Sequence, residues 1–303
     1  MEQRRQRSSR WRAGWSPERW LEVLLAMLVL FVFVGRPIVA EWPQADLALE
    51  IILTLVLVGL FAPVLRHHEI NQFAGIPGRG PTSEFWFGTD KFGQDIYSRV
   101  VSGARISLQV GFLAVALGTA AGMLIGAWAG YKGGIVDVIS QRIIDTMIAF
   151  PQILFLLVIV RVLGPSMRNV IIAIAVLIVP SVARIVRSAA LVERNNLYIE
   201  AARAIGSTDG RILLRHIIPN ILPVGVVIST TLLGTAILAE ASLSFLGLGI
   251  PPPNPSWGND INVARTTFPI NLWAALFPGL AISLTVLGFN LLGDATRDIF
   301  DPR

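Results

Sequence analysis

A chain of 303 residues that is 53% hydrophobic and only 15% charged is too apolar for an ordinary soluble domain and points to several membrane spans. Its formal charge of +5 is too modest to argue for nucleic-acid binding. Of its 25 cationic side chains only Lys91 and Lys132 are lysines, so arginine placement is the topological signal. The absence of cysteine excludes disulfides and thiolate metal sites, and the adjacent His67 and His68 suit a surface pair better than a ligand set.

Residues 1–19 are polar and carry Arg4, Arg5, Arg7, Arg10, Arg12 and Arg19, as expected of a cytoplasmic tail. Leu21–Val34 is apolar but short. It reaches the roughly 20 residues of a span only if it continues through Pro37 to Ala40. No small-residue cleavage pattern follows it, so it is not a secretory signal. Leu47–Leu65 is a better span. The polar loop 66–105, rich in Gly, Pro and aromatics, is long enough to have a function. Further spans are expected at Ile106–Gly130, Ile143–Leu163, Asn169–Leu191, Ile221–Phe245 and Leu272–Leu292. A polar link, Tyr131–Arg142, a tight Gly164-Pro165-Ser166 turn and a loop, Gly247–Thr267, lie between them. Pro151 and Pro180 fall inside expected spans, where neighbouring helices can satisfy the freed carbonyls.

The arginine-dense segment 184–215 has the best claim to the cytoplasm. Counting outward from it puts 66–105, 164–168 and 247–267 outside, and 131–142 and the C-terminus inside. If Leu21–Ala40 also crossed, the arginine-rich N-terminus would lie outside, against the charge rule. Either that segment does not cross, as an interfacial or re-entrant helix, or the N-terminus lies outside despite its arginines; the non-crossing segment is the first reading.

Gly118, Gly122, Gly126 and Gly130 recur every fourth residue and form a small-residue stripe on a helix, which lets another backbone approach closely. Plain packing is the first reading of this stripe; a border of the pathway that slides during gating is the second. Charges inside spans are expensive and single out Asp145 and Glu240. Asp145 is near the start of its span, so an interfacial position suffices. Glu240 lies deeper, and pairing with a neighbour is the first expectation for it. A gate or pathway role for Glu240, Asp145, Gly118, Gly122 and Gly126 is the alternative.

One polar stretch stands out between apolar segments: Glu200-Ala201-Ala202-Arg203-Ala204-Ile205-Gly206, closed by His216-Ile217-Ile218-Pro219. It suits two short helices with a turn at Gly206, which a bulkier residue would resist. Glu200 and Arg203, three apart, share a helix face, and Ala201 and Ala202 leave that helix smooth enough to lie in a partner's groove. The stretch resembles the EAA loop of ABC importer permeases. Glu200, Ala201, Ala202, Gly206 and Pro219 fall in register with that pattern, while His216 and Ile218 replace its usual Ile and Leu.

Three more stretches resemble the second-permease, C-type branch of the dipeptide and oligopeptide importers. They are Phe87-Gly88-Thr89-Asp90 through Leu108, Ala239-Glu240-Ala241-Ser242-Leu243-Ser244-Phe245 through Gly258, and Leu292-Gly293-Asp294 through Arg303. Gln94 stands where that family usually has arginine. The resemblance covers about residues 47–303. It implies an all-α membrane protein, a polytopic bundle with a six-span type I permease core plus an extra N-terminal hydrophobic segment. The implied division is 1–46 for the tail and extra segment, 47–105 for the first core span and its loop, and 106–303 for the core, including a coupling loop at 195–220.

The resemblance also implies a transport subunit in a prokaryotic plasma (inner) membrane, with the EAA loop and C-terminus cytoplasmic. It would form half of a pathway for di- or oligopeptides, or in relatives for nickel chelates, glutathione or oligosaccharides. The implied partners are a second homologous permease, two ATP-binding subunits, an extracytoplasmic substrate-binding protein and membrane lipid, with no nucleic acid. Glu200, Ala201, Ala202, Arg203, Gly206, His216 and Pro219 are the implied ATPase-coupling residues. Neither lysine lies in a phosphate-binding Gly-Lys-Ser/Thr context, so ATP hydrolysis is expected from partner subunits and no cofactor is expected here. An ion-driven secondary transporter would be expected to show internal repeats, and none is convincing. An intramembrane enzyme would need a nucleophile–base pair, and none stands out.

Overall fold

A computed structural model of the chain describes residues 43–268 and 270–300. The arginine-rich tail and the segment 21–40 lie outside the described residues. Within them the regular structure is helical, apart from an isolated bridge between Thr89 and Asp95.

Helix α1, Pro43–Leu60, continues after a break at Phe61 into the single turn α2, Ala62–Leu65. Together they hold the segment expected as the first core span. Helix α3, Ile96–Lys132, is the axis of the bundle. It runs 37 residues, about 55 Å at 1.5 Å per residue. Asp95 caps its start, its carboxylate accepting from the backbone N–H groups of Tyr97 and Ser98. Helix α4, Gly134–Ala149, follows after Gly133 alone, and α5, Gln152–Leu163, follows after Pro151. Helix α6, Met167–Glu193, leads into the short α7, Leu197–Ala204. The last part of the core contains α8, Asp209–Ile212, a π turn over Leu213–Ile217, α9, Ile218–Phe245, α10, Trp257–Arg265, and α11, Trp273–Phe300.

The largest helix seam joins α3 to α6. The glycine stripe lies in it. A Cβ on Gly118 would come within 2.7 Å of the Ala175 carbonyl oxygen, one on Gly126 within 2.4 Å of that of Ala183, and one on Gly130 within 2.6 Å of that of Arg187. At Gly122 the nearest atom is Val182 Cβ, at 2.7 Å. The two backbones therefore meet along nearly four turns, with dispersion contact where side chains would otherwise stand. Helix α9 packs on both α3 and α11, and α1 closes the bundle against α11 and α3.

Four described helical segments are long and apolar enough to cross a membrane: α3, α6, α8–α9 and α11. A fifth is present if α4 and α5, bent by 95°, count as one span. This bend differs from the single span expected over 143–163. Pro151 cannot donate the hydrogen bond that would continue the helix, and Phe150 before it is extended, so the chain turns rather than kinks. Helix α4 is fastened to α6 by two ion pairs, Asp137 with Arg187 and Asp145 with Arg184. Its one fully enclosed side chain is Ile144.

Other boundaries move too. The polar link 131–142 shrinks to Gly133, whose φ of 64° lets α3 end and α4 begin without a loop. Helix α3 starts ten residues before the apolar run. Its first turns carry Ser98, Arg99 and Ser102, which face a cap of loop structure rather than lipid. The loop expected at 247–267 contains α10, with Ser256 as N-cap. Helix α11 runs on through most of the charged tail.

Candidate functional site: a knuckle at one end, a locked cap at the other

The EAA-like stretch forms a knuckle against the C-terminal end of α3. Ile199 and Ala202 on α7 are buried, while Glu200, Ala201, Arg203 and Ala204 face outward. The helix stops in a two-bond C-terminal motif. Gly206 N–H donates to the Arg203 carbonyl at 2.9 Å, and Ser207 N–H to the Ala202 carbonyl at 3.0 Å. That geometry needs a left-handed residue, and Gly206 supplies it at φ 81°. A Cβ there would meet nothing within 4 Å, so backbone conformation rather than space requires the glycine.

The knuckle is fastened to α3 by polar contacts. Tyr131 Oη donates to Asp209 Oδ1 at 2.7 Å, Lys132 Nζ donates to Asp209 Oδ2 at 2.5 Å, and the Arg203 guanidinium lies 5.2 Å from the centre of the Tyr131 ring. Arg194 Nη1 donates to the Gly130 carbonyl at 3.1 Å. The Lys132–Asp209 pair is well exposed, so it sets geometry more than it adds stability. Across the knuckle, Asn220 Nδ2 donates to Glu193 Oε1 at 3.0 Å and to Tyr198 Oη at 2.7 Å, and Tyr198 in turn donates to Glu193.

The second of the two expected short helices is in fact the start of a continuous segment. Asp209 to Phe245 is a single 37-residue span. Buried Ile212, Leu213 and Ile217 root it. Pro219 cannot donate to the carbonyl four residues back, and the chain answers with the widened π turn just before it. His216 lies in that turn, its ring 6.0 Å from that of Tyr198. The outward face also holds three apolar side chains that the motif did not single out: Leu197, Ile205 and Leu214, exposed by 82%, 83% and 63%. Apolar residues inside an otherwise polar stretch were the available signal.

At the opposite end, the start of α3, α10 and the 66–95 loop lock together. Arg99 Nε donates to Asp260 Oδ1 at 2.8 Å, and Arg99 Nη1 donates to Gln94 Oε1 at 2.8 Å and to Asn71 Oδ1 at 3.0 Å. Gln94 thus serves as an acceptor for the neighbouring guanidinium. Buried Trp257 donates from Nε1 to the Val100 carbonyl at 2.9 Å. Phe87 stacks on Phe277, with ring centres 3.8 Å apart.

Glu240 is wholly buried in α9. It has hydroxyl partners rather than a cation. Ser107 of α3 donates to Oε2 at 3.1 Å and Ser244 to Oε1 at 2.7 Å, with Ser256 of α10 3.3 Å beyond. A carboxyl so placed ties three elements together. Asp145 sits elsewhere, half exposed and 2.6 Å from Arg184 Nη2. The pathway candidates are therefore not gathered at one place: the glycines line the α3–α6 seam, Glu240 is enclosed, and Asp145 lies on the surface. Among the described residues no group of three or more His, Cys, Asp or Glu could hold a metal.

Residues 122–303 match the family described as "Binding-protein-dependent transport system inner membrane component". The dipeptide transport system permease protein DppC of Alkalihalophilus pseudofirmus is 46% identical over 262 residues, covering 86% of each chain. The glutathione transport system permease protein GsiD of Escherichia coli O1:K1 / APEC is 47% identical over 254 residues, 83% of this chain and 84% of its own. Among solved structures, a chain of the inward-facing MetNI methionine ABC transporter superposes with a TM-score of 0.54 at 23% identity, covering 66% of this chain and 96% of that one. That likeness supports the fold, and the sequence matches go further. The chain belongs to the inner-membrane components of binding-protein-dependent transport systems, the permease subunits of ABC importers.

Proposed function

We propose that this permease forms half of an ATP-driven import pathway for di- or oligopeptides. A second homologous permease completes the pathway, two ATP-binding subunits grip the two coupling loops, and an extracytoplasmic binding protein delivers the solute. The knuckle lies on the cytoplasmic side with the C-terminus, and the Arg99–Asp260 cap lies outside. The chain performs no chemistry, and the ATPase partners hydrolyse the nucleotide.

The observation that carries this reading is the knuckle itself. It presents Glu200, Ala201, Ile205 and Leu214 outward, yet it is bonded to α3 and continuous with α9. A push on such an element moves spans without local melting. Buried Ala202 fixes its inner side, exposed Arg203 lies over the Tyr131 ring, and His216 and Pro219 shape the turn where force enters α9. The glycine stripe fits a seam that moves as one body, and Glu240 fits a structural tie better than a solute contact. The division into 1–46, 47–105 and 106–303 remains part of this reading.

The relatives named for dipeptide and glutathione transport favour a peptide-like solute over nickel chelates or oligosaccharides. Gly206→Leu and Glu200→Trp are expected to lower uptake by about tenfold or more while ATP hydrolysis by the assembled complex persists. The leucine strains a left-handed position at about 1–2 kcal/mol, and the tryptophan blocks the groove contact. Uptake and ATPase rates measured in the same proteoliposomes check this, and normal uptake by both variants would refute the coupling role. Solute identity is read separately, from ligand binding by the partner binding protein.

A further inference from the structure

A cavity of about 490 Å³ opens at the capped end, beside the Arg99–Asp260 lock. Its walls come from α2, the 66–71 strip, the first turns of α3 and the Pro253–Pro255 strip. Arg66 and Arg105 both line it, and neither guanidinium has a hydrogen bond or ion pair with a described residue. No Asp or Glu lines the cavity, while Asn71, Ser102 and Gln109 add neutral polar groups.

The wall is built rather than loose. Asn71 adopts a left-handed φ of 66° and donates from Nδ2 to the Pro253 carbonyl at 2.9 Å, while its Oδ1 accepts from Arg99. The buried ion pair therefore holds both rims at once. Arg105 sits where α1 crosses α3, a Cβ on Gly59 falling 3.3 Å from the Arg105 Cα. Gln109 continues the lining one helical turn further down α3.

Two guanidinium groups that have no charge partner among the described residues focus a positive field in one concavity. Their planar forks match a carboxylate, which each can bind through two parallel hydrogen bonds. The volume lies within the range for small-molecule pockets, and Ile70, Met167 and Pro255 provide apolar walls for the rest of a solute. We infer that this cavity is an entry subsite for carboxylate-bearing solutes, with Arg66 and Arg105 gripping the carboxylate and Asn71 and Gln109 orienting the remainder of the molecule. The inference rests on the reading above in taking this end as extracytoplasmic.

The chain's lack of cysteine allows a direct test. In the assembled transporter, Asn254→Cys puts a single thiol on the cavity wall, and its labelling is read on this chain alone. An anionic sulfonatoethyl thiosulfonate should react about tenfold faster than its cationic trimethylammonium counterpart. Adding Arg66→Gln and Arg105→Gln should bring that ratio to about one, whereas Arg66→Lys with Arg105→Lys should keep most of it. Alanyl-alanine should slow the labelling and its C-terminal amide should not. A ratio near one in the arginine-containing chain, no effect of the glutamines, equal protection by the amide, or protection by phosphatidylglycerol but not by the dipeptide would each overturn the subsite. If the charge ratio holds while Glu200 and Gly206 variants import normally, the coupling reading fails and the subsite stands. A flat ratio beside uncoupled variants sinks the subsite alone.

Discussion

Gly126→Leu is expected to prevent the bundle from assembling. At this position the closest neighbours of an added Cβ are all backbone atoms of Ala183, with the carbonyl oxygen at 2.4 Å and the carbonyl carbon and Cα at 3.0 Å. No side chain can rotate away, so α3 and α6 must separate along their whole seam. Overpacking a core by a methylene or two costs about 1–3 kcal/mol when neighbours can yield, and here they cannot. Even Gly126→Ala should cost about 3 kcal/mol, at the top of that range. Gly122→Ala should cost about as much, because its first obstacle, Val182 Cβ at 2.7 Å, is held by the backbone and no rotamer change moves it. Gly279→Ala is the control: it lies inside α11 with nothing within 4 Å of an added Cβ. It should be neutral or stabilise by about 0.4–1 kcal/mol through the unfolded chain. Unfolding in detergent, followed by heat or by rising SDS fraction, ranks the three. Equal losses at Gly126 and Gly279 would show that the seam does not set the stability.

Arg99→Ala is expected to destabilise the capped end by about 3–5 kcal/mol, the usual result of removing one partner of a buried ion pair. Arg99 and Asp260 side chains are only 10% and 7% exposed, and Asp260 Oδ2 already lacks a partner among the described residues. Loss of the guanidinium strands the carboxylate and also releases Gln94 and Asn71. The change should act locally, loosening the 66–95 loop and α10 while the α3–α6 seam persists. Hydrogen exchange should therefore show lost protection at Gln94 and over 257–265 and none over 114–130. Arg99→Met combined with Asp260→Leu should recover much of the loss, because the desolvation of both charges is removed together. If the double variant is as unstable as Arg99→Ala, packing and not charge burial accounts for the effect.

Much of the bundle was legible in hydropathy, because lipid-facing and core-facing residues are alike apolar there. The failures occurred where polarity had another cause. Ser98, Arg99 and Ser102 made the start of α3 look like loop, yet they are helical and buried against α10 and the 66–95 loop. Asp95, poised to cap, was the overlooked signal. Pro151 was expected to be absorbed within one span, but the extended Phe150 before it ends α4 and the chain turns instead. The EAA-like stretch was found by its motif, whereas Leu197, Ile205 and Leu214 needed the fold to show which side they face. The cavity at Arg66 and Arg105 could not be read from sequence, since only the fold brings the end of α2 and the first turns of α3 to one wall.

The continuity of α8, the π turn and α9 has a mechanical corollary. Thirty-seven helical residues make a lever arm of about 55 Å with its handle at Asp209 and its tip at Phe245. If it pivots near the knuckle, a tilt of about 5° sweeps the tip sideways by about 5 Å. The Glu240 hydroxyl tie to α3 lies close to that tip, where a given tilt would displace the chain most.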